Sequence, residues 1–323
     1  MAHGEGGECP EVAGTSSGVS GSRTGAPTPT AIATPKAEIA IDVALVKRLL
    51  QSQHPDLADA TLEPVACGWD NAIFRLGDQL CVRLPRREAS AALLENEQRW
   101  LPTLSKRLPL PIPSPVRMGI ACADYPWSWS LLPWLPGITA DRTKLLADEG
   151  VVLAKFLRAL HTPAPPTAPR NPYRGVPLAQ RAAAVEERME RLDRTTRTVG
   201  NPIRSIWRDA LAAPIDVDET WIHGDLHARN VLVHEQRLSA VIDWGDLANG
   251  DRATDLAAVW MWLPNGESRA LAMAAYGGST ATWQRARGWA VLFGVVLLET
   301  GLADNPPHAA MGERILRNLN DGL

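Results

Sequence analysis

The stretch that decides the fold reads Trp221-Ile222-His223-Gly224-Asp225-Leu226-His227-Ala228-Arg229-Asn230-Val231-Leu232-Val233-His234, then Glu235-Gln236-Arg237, then Leu238-Ser239-Ala240-Val241-Ile242-Asp243-Trp244-Gly245-Asp246. An apolar strand enters a short loop that carries His, Asp and Asn at fixed spacing, and a second apolar strand ends in another Asp. Closed around Gln236-Arg237 as an antiparallel hairpin, the two strands would set Val231 opposite Ile242 and Asn230 opposite Asp243. Facing residues on paired strands lie about 4.5–5.5 Å apart at Cα. An amide oxygen and a carboxylate at one end of a hairpin suit Mg²⁺, a hard cation that takes oxygen ligands. Asp225, on the loop entering the hairpin, would lie near such an ion and remain free to take a proton from an incoming hydroxyl.

His223-Gly224-Asp225 with Asn230 five residues on, followed by Ile242-Asp243-Trp244-Gly245, resembles the catalytic and metal segments of the aminoglycoside phosphotransferase and choline kinase-like family. In the related protein kinases H-R-D-x-x-x-x-N and D-F-G do the same work. The resemblance covers residues 41–320, and this two-part motif is its most specific portion. It implies a bilobal α+β, protein-kinase-like fold, with a small antiparallel β-sheet N-lobe and a mainly helical C-lobe. It further implies Asp225 as catalytic base, Asn230 and Asp243 as Mg²⁺ ligands, ATP or GTP as co-substrate, and a hydroxylated small molecule as acceptor.

Composition sets the bounds. The 323 residues are 45% hydrophobic and 21% charged, enough for a sizeable core in one large or two medium domains. A net charge of −3, with no long Lys/Arg cluster, gives no global attraction to nucleic acid. Cys9, Cys67, Cys81 and Cys122 lack metal-ligand spacing and suit reduced thiols in the cytoplasm. No signal peptide is legible at the start, and the apolar run 289–298 is shorter than the roughly 20 residues of a membrane span. A monomer or homodimer is expected, with neither nucleic acid nor membrane as partner.

Residues 1–36 are rich in Gly, Ser, Thr, Pro and Ala and read as a disordered leader. The N-lobe is assigned to residues 37–132, a hinge to 133–137 and the catalytic C-lobe to 138–323. A helical stripe over 39–53 precedes three short strands, and a second helix covers 89–104. By the resemblance, the turn from Gly68 to Asn71 covers the nucleotide phosphates, and an ordinary hairpin turn reads the same way. Arg83 stands where the family has Lys, and Glu97 is implied as its acidic partner, with Glu95 the rival. Arg is a planar, permanently charged fork and can still grip phosphate bidentately. At Pro133-Trp134-Leu135-Pro136-Gly137 the resemblance sets the Pro133 carbonyl and Leu135 amide against the adenine edge, with Leu132 behind it. A plain interdomain linker has the same composition. The C-lobe reads as helices near 144–161, 178–194, 202–212, 253–263, 267–276, 280–302 and 307–319, with the Pro-rich residues 162–178 wrapping the surface. Asp255, at a helix start, is implied as a brace for the catalytic loop, and His223 as a buried support.

Two other readings exist. His223, Asp225 and His227 alternate and would suit a zinc hydrolase, although that leaves Asn230 and Asp243 without a role. The Lys-to-Arg departure would suit a non-catalytic pseudokinase scaffold. The acceptor is open between an antibiotic, such as an aminoglycoside or a macrolide, and a related metabolite. An aminoglycoside asks for an acidic pocket, whereas the twelve tryptophans would suit an apolar or sugar-like molecule.

Overall fold

The computed structural model describes residues 36–67, 70–196 and 198–321. The leader reading, Lys36 apart, and the Gly68 position fall outside the described residues. Helix α1 (Val43–Gln53) starts where Asp42 caps it, its carboxylate accepting from the Leu45 amide at 2.7 Å. That cap sets the boundary at residue 43 instead of 39. Leu45, Val46, Leu49 and Leu50 form the buried face. They pack on one side of a five-stranded sheet made by β1 (Leu62–Cys67), β2 (Asn71–Leu76), β3 (Leu80–Pro85), β4 (Arg117–Gly119) and β5 (Trp129–Pro133). The order is β1-β2-β3-β5-β4 and every pair is antiparallel. Strand β3 is central and covered on both faces, which is why its residues from Cys81 to Pro85 are all buried. Helix α2 (Glu88–Leu104) lies against β3 and β5 and buries Ser90, Ala91, Leu94, Glu97, Leu101 and Leu104 along one stripe.

Pro133 is still paired with Leu80, and the Trp134 amide donates to Gln79 O at 2.7 Å. Five residues later Ile138 pairs with Val233 of the second lobe, so the chain changes lobes between these two points. The second lobe contains β6 (Ile138–Thr139), α3 (Glu149–Leu160), α4 (Ala182–Thr195), α5 (Asn201–Ala212), β7 (Thr220–Ile222), β8 (Val231–His234), β9 (Arg237–Val241) and β10 (Ala248–Gly250). It continues with α6 (Ala253–Leu256), α7 (Ala258–Met261), α8 (Gly266–Tyr276), α9 (Thr280–Asp304) and α10 (Pro306–Asn320). The molecule is thus a bilobal α+β structure with one sheet lobe and one helical lobe.

The hairpin register differs from the sequence expectation. Val231 pairs with Val241, Leu232 with Ala240, and His234 with Arg237. The turn is Glu235-Gln236, both in the left-handed region at φ 48° and 65°, as a two-residue hairpin turn requires. Ser239 is the extra residue of a β-bulge between the Leu232 and Val233 pairings. The Ile242 amide therefore donates to the Asn230 carbonyl at 2.9 Å, and Asp243 lies one residue beyond the ladder. Strands β6 and β10 were not expected, nor was the division of residues 253–263 into α6 and α7. Helix α3 begins at Glu149, whose buried carboxylate accepts from the Leu238 amide of β9 at 2.8 Å.

Helix α9 is the axis of the helical lobe, packed by α4, α5, α6 and α10. By length and composition it could cross a membrane, a property the shorter run 289–298 did not reveal. Here it is mostly buried among its neighbours. The α9–α10 contact is close because Gly301 has no side chain: a Cβ there would come within 2.0 Å of the Ala309 backbone nitrogen. A Gly301→Ala change gains about 1 kcal/mol of helix propensity. The backbone collision outweighs it, since overpacking costs about 1–3 kcal/mol and here no flexible side chain can yield. Thermal melting should show the variant several degrees less stable than wild type, and an unchanged or higher midpoint would contradict this packing.

Candidate active site

Strand β7 pairs with β10 and delivers the chain into the loop at His223. The loop is held from behind by Asp255, which is wholly buried at the start of α6. Its two oxygens accept from the backbone amides of His223 at 2.7 Å and Gly224 at 2.8 Å. His223 is also wholly buried. Its Nε2 meets Ile242 O at 3.0 Å and its Nδ1 accepts from the Asp225 amide at 3.2 Å, which assigns the proton to Nε2. Gly224 turns the chain at φ 86°, where a Cβ would stand 2.5 Å from Asp246 O. Asp225 is thereby turned into the cleft.

Asp225 and Asn230 are joined by hydrogen bonds from Asn230 Nδ2 to Asp225 O at 2.8 Å and to its Oδ2 at 3.4 Å. Arg174 reaches Asp225 Oδ1 at 3.5 Å, and His227 Nε2 lies 3.4 Å from Oδ2. Burial opposes ionisation of Asp225, but His227, Arg174, His223 and His308 together hold its carboxyl below the ordinary value. Asp246 moves the other way: burial and the neighbouring Asp225 push its carboxyl up. Two adjacent carboxyls with opposed shifts give one group that stays ionised beside one that protonates more readily.

From the N-lobe, Arg83 reaches across the cleft. Its Nη1 donates to Glu97 Oε2 at 2.8 Å and its Nη2 to Asp243 Oδ1 at 2.9 Å. The Asn71 amide oxygen, turned toward the guanidinium, accepts from Nε and Nη2 at 3.1 and 2.9 Å. Glu95 points to solvent, so Glu97 is the partner in this structure. Asp243 has φ 60°, which rotates its carboxylate out of the hairpin and toward Arg83. Leu132 is buried opposite Cys81, Pro133 is half-buried opposite Leu80, and Leu135 is half-buried beyond the end of β5. The cleft, about 750 Å³, is bordered by Asp70 and Leu93 of the N-lobe and by Asp225, Asn230, Asp243, Phe293 and His308 among others of the C-lobe.

The profile of the phosphotransferase enzyme family matches residues 61–289. The chain belongs to that family. It is therefore a phosphotransferase, an enzyme of kinase-like fold. Among solved structures it is similar to the GDP and kanamycin complex of APH(2")-IIia, with 19% identity, a TM-score of 0.64, and coverage of 86% of this chain and 99% of that one. It is also similar to the macrolide 2'-phosphotransferase MphH from Brachybacterium faecium, with 22% identity, a TM-score of 0.59, and coverage of 87% and 99%. At such identities the likeness speaks for the fold. No curated protein sequence matches the chain significantly.

The phosphotransferase has a donor set that fits Mg²⁺. Asn230 commits its amide nitrogen to the Asp225 carbonyl, which leaves the Oδ1 oxygen, and Asp243 has a second carboxylate oxygen beside the one held by Arg83. The zinc reading fails on His223, both of whose ring nitrogens are committed to the backbone. Among the described residues no group of three or more His, Cys, Asp or Glu is placed to hold a metal.

Sequence reasoning missed Arg174 and Asn171. Both come from the Pro-rich segment expected to wrap the surface. It instead folds inward: Asn171 Oδ1 accepts from the amides of Tyr173 and Arg174, and the Gly175 amide donates to Thr254 Oγ1 at 3.1 Å. Asn171 Nδ2 then reaches Asp246 at 2.6 Å. Nothing local in the sequence showed which surface this segment would face.

Burial pushes the Glu97 carboxyl up to about 7 from an ordinary 4.5, against the pull of Arg83. Between those two values the folded protein keeps a proton that the unfolded chain has lost, so stability falls as pH rises. Wild type should lose stability relative to Glu97→Gln from about pH 4.5 to about pH 7 and level off above, as read from urea midpoints. A difference that stays constant with pH would mean that Glu97 ionises at its ordinary value.

Proposed function

We propose that this phosphotransferase transfers the γ-phosphate of ATP or GTP to a hydroxyl of a small molecule, with Asp225 as catalytic base. The observation that carries the reading is the meeting of three groups at one cleft: Asp225 and Asn230 on the braced loop, Asp243 beyond the hairpin, and the Arg83–Glu97 pair on the opposing wall. Solved relatives bound to GDP or ADP support a nucleotide as donor. Asn230 and Asp243 would hold Mg²⁺, which when bound neutralises phosphate charge and orients the leaving group. Arg83, fixed by Glu97, offers its guanidinium to phosphate oxygens. Asp225, its carboxyl held against burial below the ordinary value by Arg174 and the neighbouring histidines, accepts the proton of the attacking hydroxyl. Asn71, at the start of β2, would lie toward the phosphates, and Leu132, Pro133 and Leu135 of the segment between the lobes would meet the nucleotide base. In this reading the lobes divide at residues 133–137.

The acceptor end of the cleft favours an amphipathic, hydroxylated molecule. Phe293, Val296 and Leu297 form an apolar wall. The cleft as a whole carries Asp70, Asp225, Asp243, Asp246 and Asp304 against Arg174, Arg188 and Arg229, and Arg188 is itself paired with Glu299. A macrolide-like ring system can cover the apolar wall, and the surplus of carboxylates would suit the ammonium groups of an aminoglycoside. A cytoplasmic enzyme suits the burial of α9 and the free cysteines Cys81 and Cys122.

Asp225→Ala should lower turnover by about 10²–10⁴-fold while nucleotide affinity stays near wild type. Release of nucleoside diphosphate, followed with macrolides, aminoglycosides and small alcohols against both ATP and GTP, gives the rate; calorimetry gives the affinity. Equal turnover in variant and wild type would remove Asp225 as base.

A further inference from the structure

A second pocket, of about 260 Å³, is lined by Arg158, His161, Arg252, Tyr276 and Gly278 and shares no lining residue with the catalytic cleft. Arg158 is on α3, Arg252 immediately precedes α6, and Tyr276 and Gly278 lie where α8 gives way to α9. Among the described residues neither guanidinium has a carboxylate within ion-pair distance, unlike those of Arg83 and Arg285. Arg158 uses Nη1 on the carbonyls of Ala275 and Tyr276, at 3.5 and 3.3 Å. Arg252 Nε is buried and has no hydrogen-bond partner among the described residues.

The floor is polar and already oriented. His161 Nε2 faces Asp255 Oδ2 at 3.2 Å, and because a carboxylate only accepts, that nitrogen carries the proton. Nδ1 then accepts from the Tyr276 hydroxyl at 2.8 Å. The phenol oxygen keeps its lone pairs for a donor such as Arg252. Two unneutralised guanidiniums over a floor with no free carboxylate make a concave anion site.

We propose that this pocket binds a tetrahedral oxyanion, inorganic phosphate or the phosphate end of a small metabolite, between Arg158 and Arg252. Arg158 and Arg252 supply forked donors to its oxygens, and Arg158, at the exposed rim, forms the entrance. The bound anion would stand behind the catalytic loop, since Tyr276, His161 and Asp255 connect the pocket floor to the amides of His223 and Gly224.

The test uses the full chain and thermal melting with 0–20 mM inorganic phosphate, about two decades of ligand, at ionic strength held constant with sodium chloride. A ligand that binds only the folded state raises the midpoint as its concentration exceeds the dissociation constant. Wild type should show a saturable rise, and Arg174→Gln, which alters only the catalytic cleft, the same rise. Arg158→Glu should abolish it; the residue is exposed, so the variant folds, and the quantity compared is the shift with phosphate within each protein. A phosphate monoester such as glycerol phosphate, run in parallel, separates the two sources: a tighter response than that of inorganic phosphate assigns the metabolite. The proposal is overturned if wild type shows no rise beyond that of chloride, or if Arg158→Glu keeps the full rise.

Discussion

The structure depends on one buried carboxylate. Asp255 accepts the amides of His223 and Gly224 and, with His161, is closed off from solvent. Hydrogen bonds to a charged group contribute roughly 1.5–3 kcal/mol each, and here both act on consecutive residues of one loop. Fixing those two peptide planes fixes where Asp225 points. Asn230 then follows, because its side-chain nitrogen is tied to the Asp225 carbonyl. The geometry of the candidate site is thus set by backbone contacts behind the loop, and its cleft side remains open.

The second constraint is the guanidinium of Arg83, which meets Glu97 on its own lobe and Asp243 on the other. A lysine ammonium in this place would be a compact charge; the planar fork can address both carboxylates and the Asn71 amide at once. Burial draws Glu97 toward its neutral form while Arg83 opposes it. Asp243, more exposed, keeps one carboxylate oxygen free of the arginine. The arginine in place of the family's lysine gives the two lobes a shared contact at the candidate site.

Much of this was legible in the sequence where periodicity or a motif carried it. Helices α2, α3, α5 and α10 follow apolar stripes, and Glu97 falls on the buried stripe of α2 with Leu94, Leu101 and Leu104. The hairpin register was not legible. Glu235 and Gln236 take left-handed backbone without the Asn or Gly that marks such turns, and the Ser239 bulge has no signature. A shift of one residue moved Asp243 from a rung of the ladder to a free turn. Strands β6 and β10 are too short to show alternation, and their pairing is decided by distant partners. Arg174 was hidden for the same reason: a Pro-rich segment looks like surface until its docking on Thr254 is known.

The close seat of α10 on α9 has a consequence for biogenesis. Helix α9 is apolar around most of its circumference, and translation completes it before the chain that shields one of its sides exists. Until α10 emerges from the ribosome and docks, that side is bare, and a bare apolar helix invites self-association. Helix α10 thus acts as a clasp on the lobe, and chains stalled before it should be the insoluble ones.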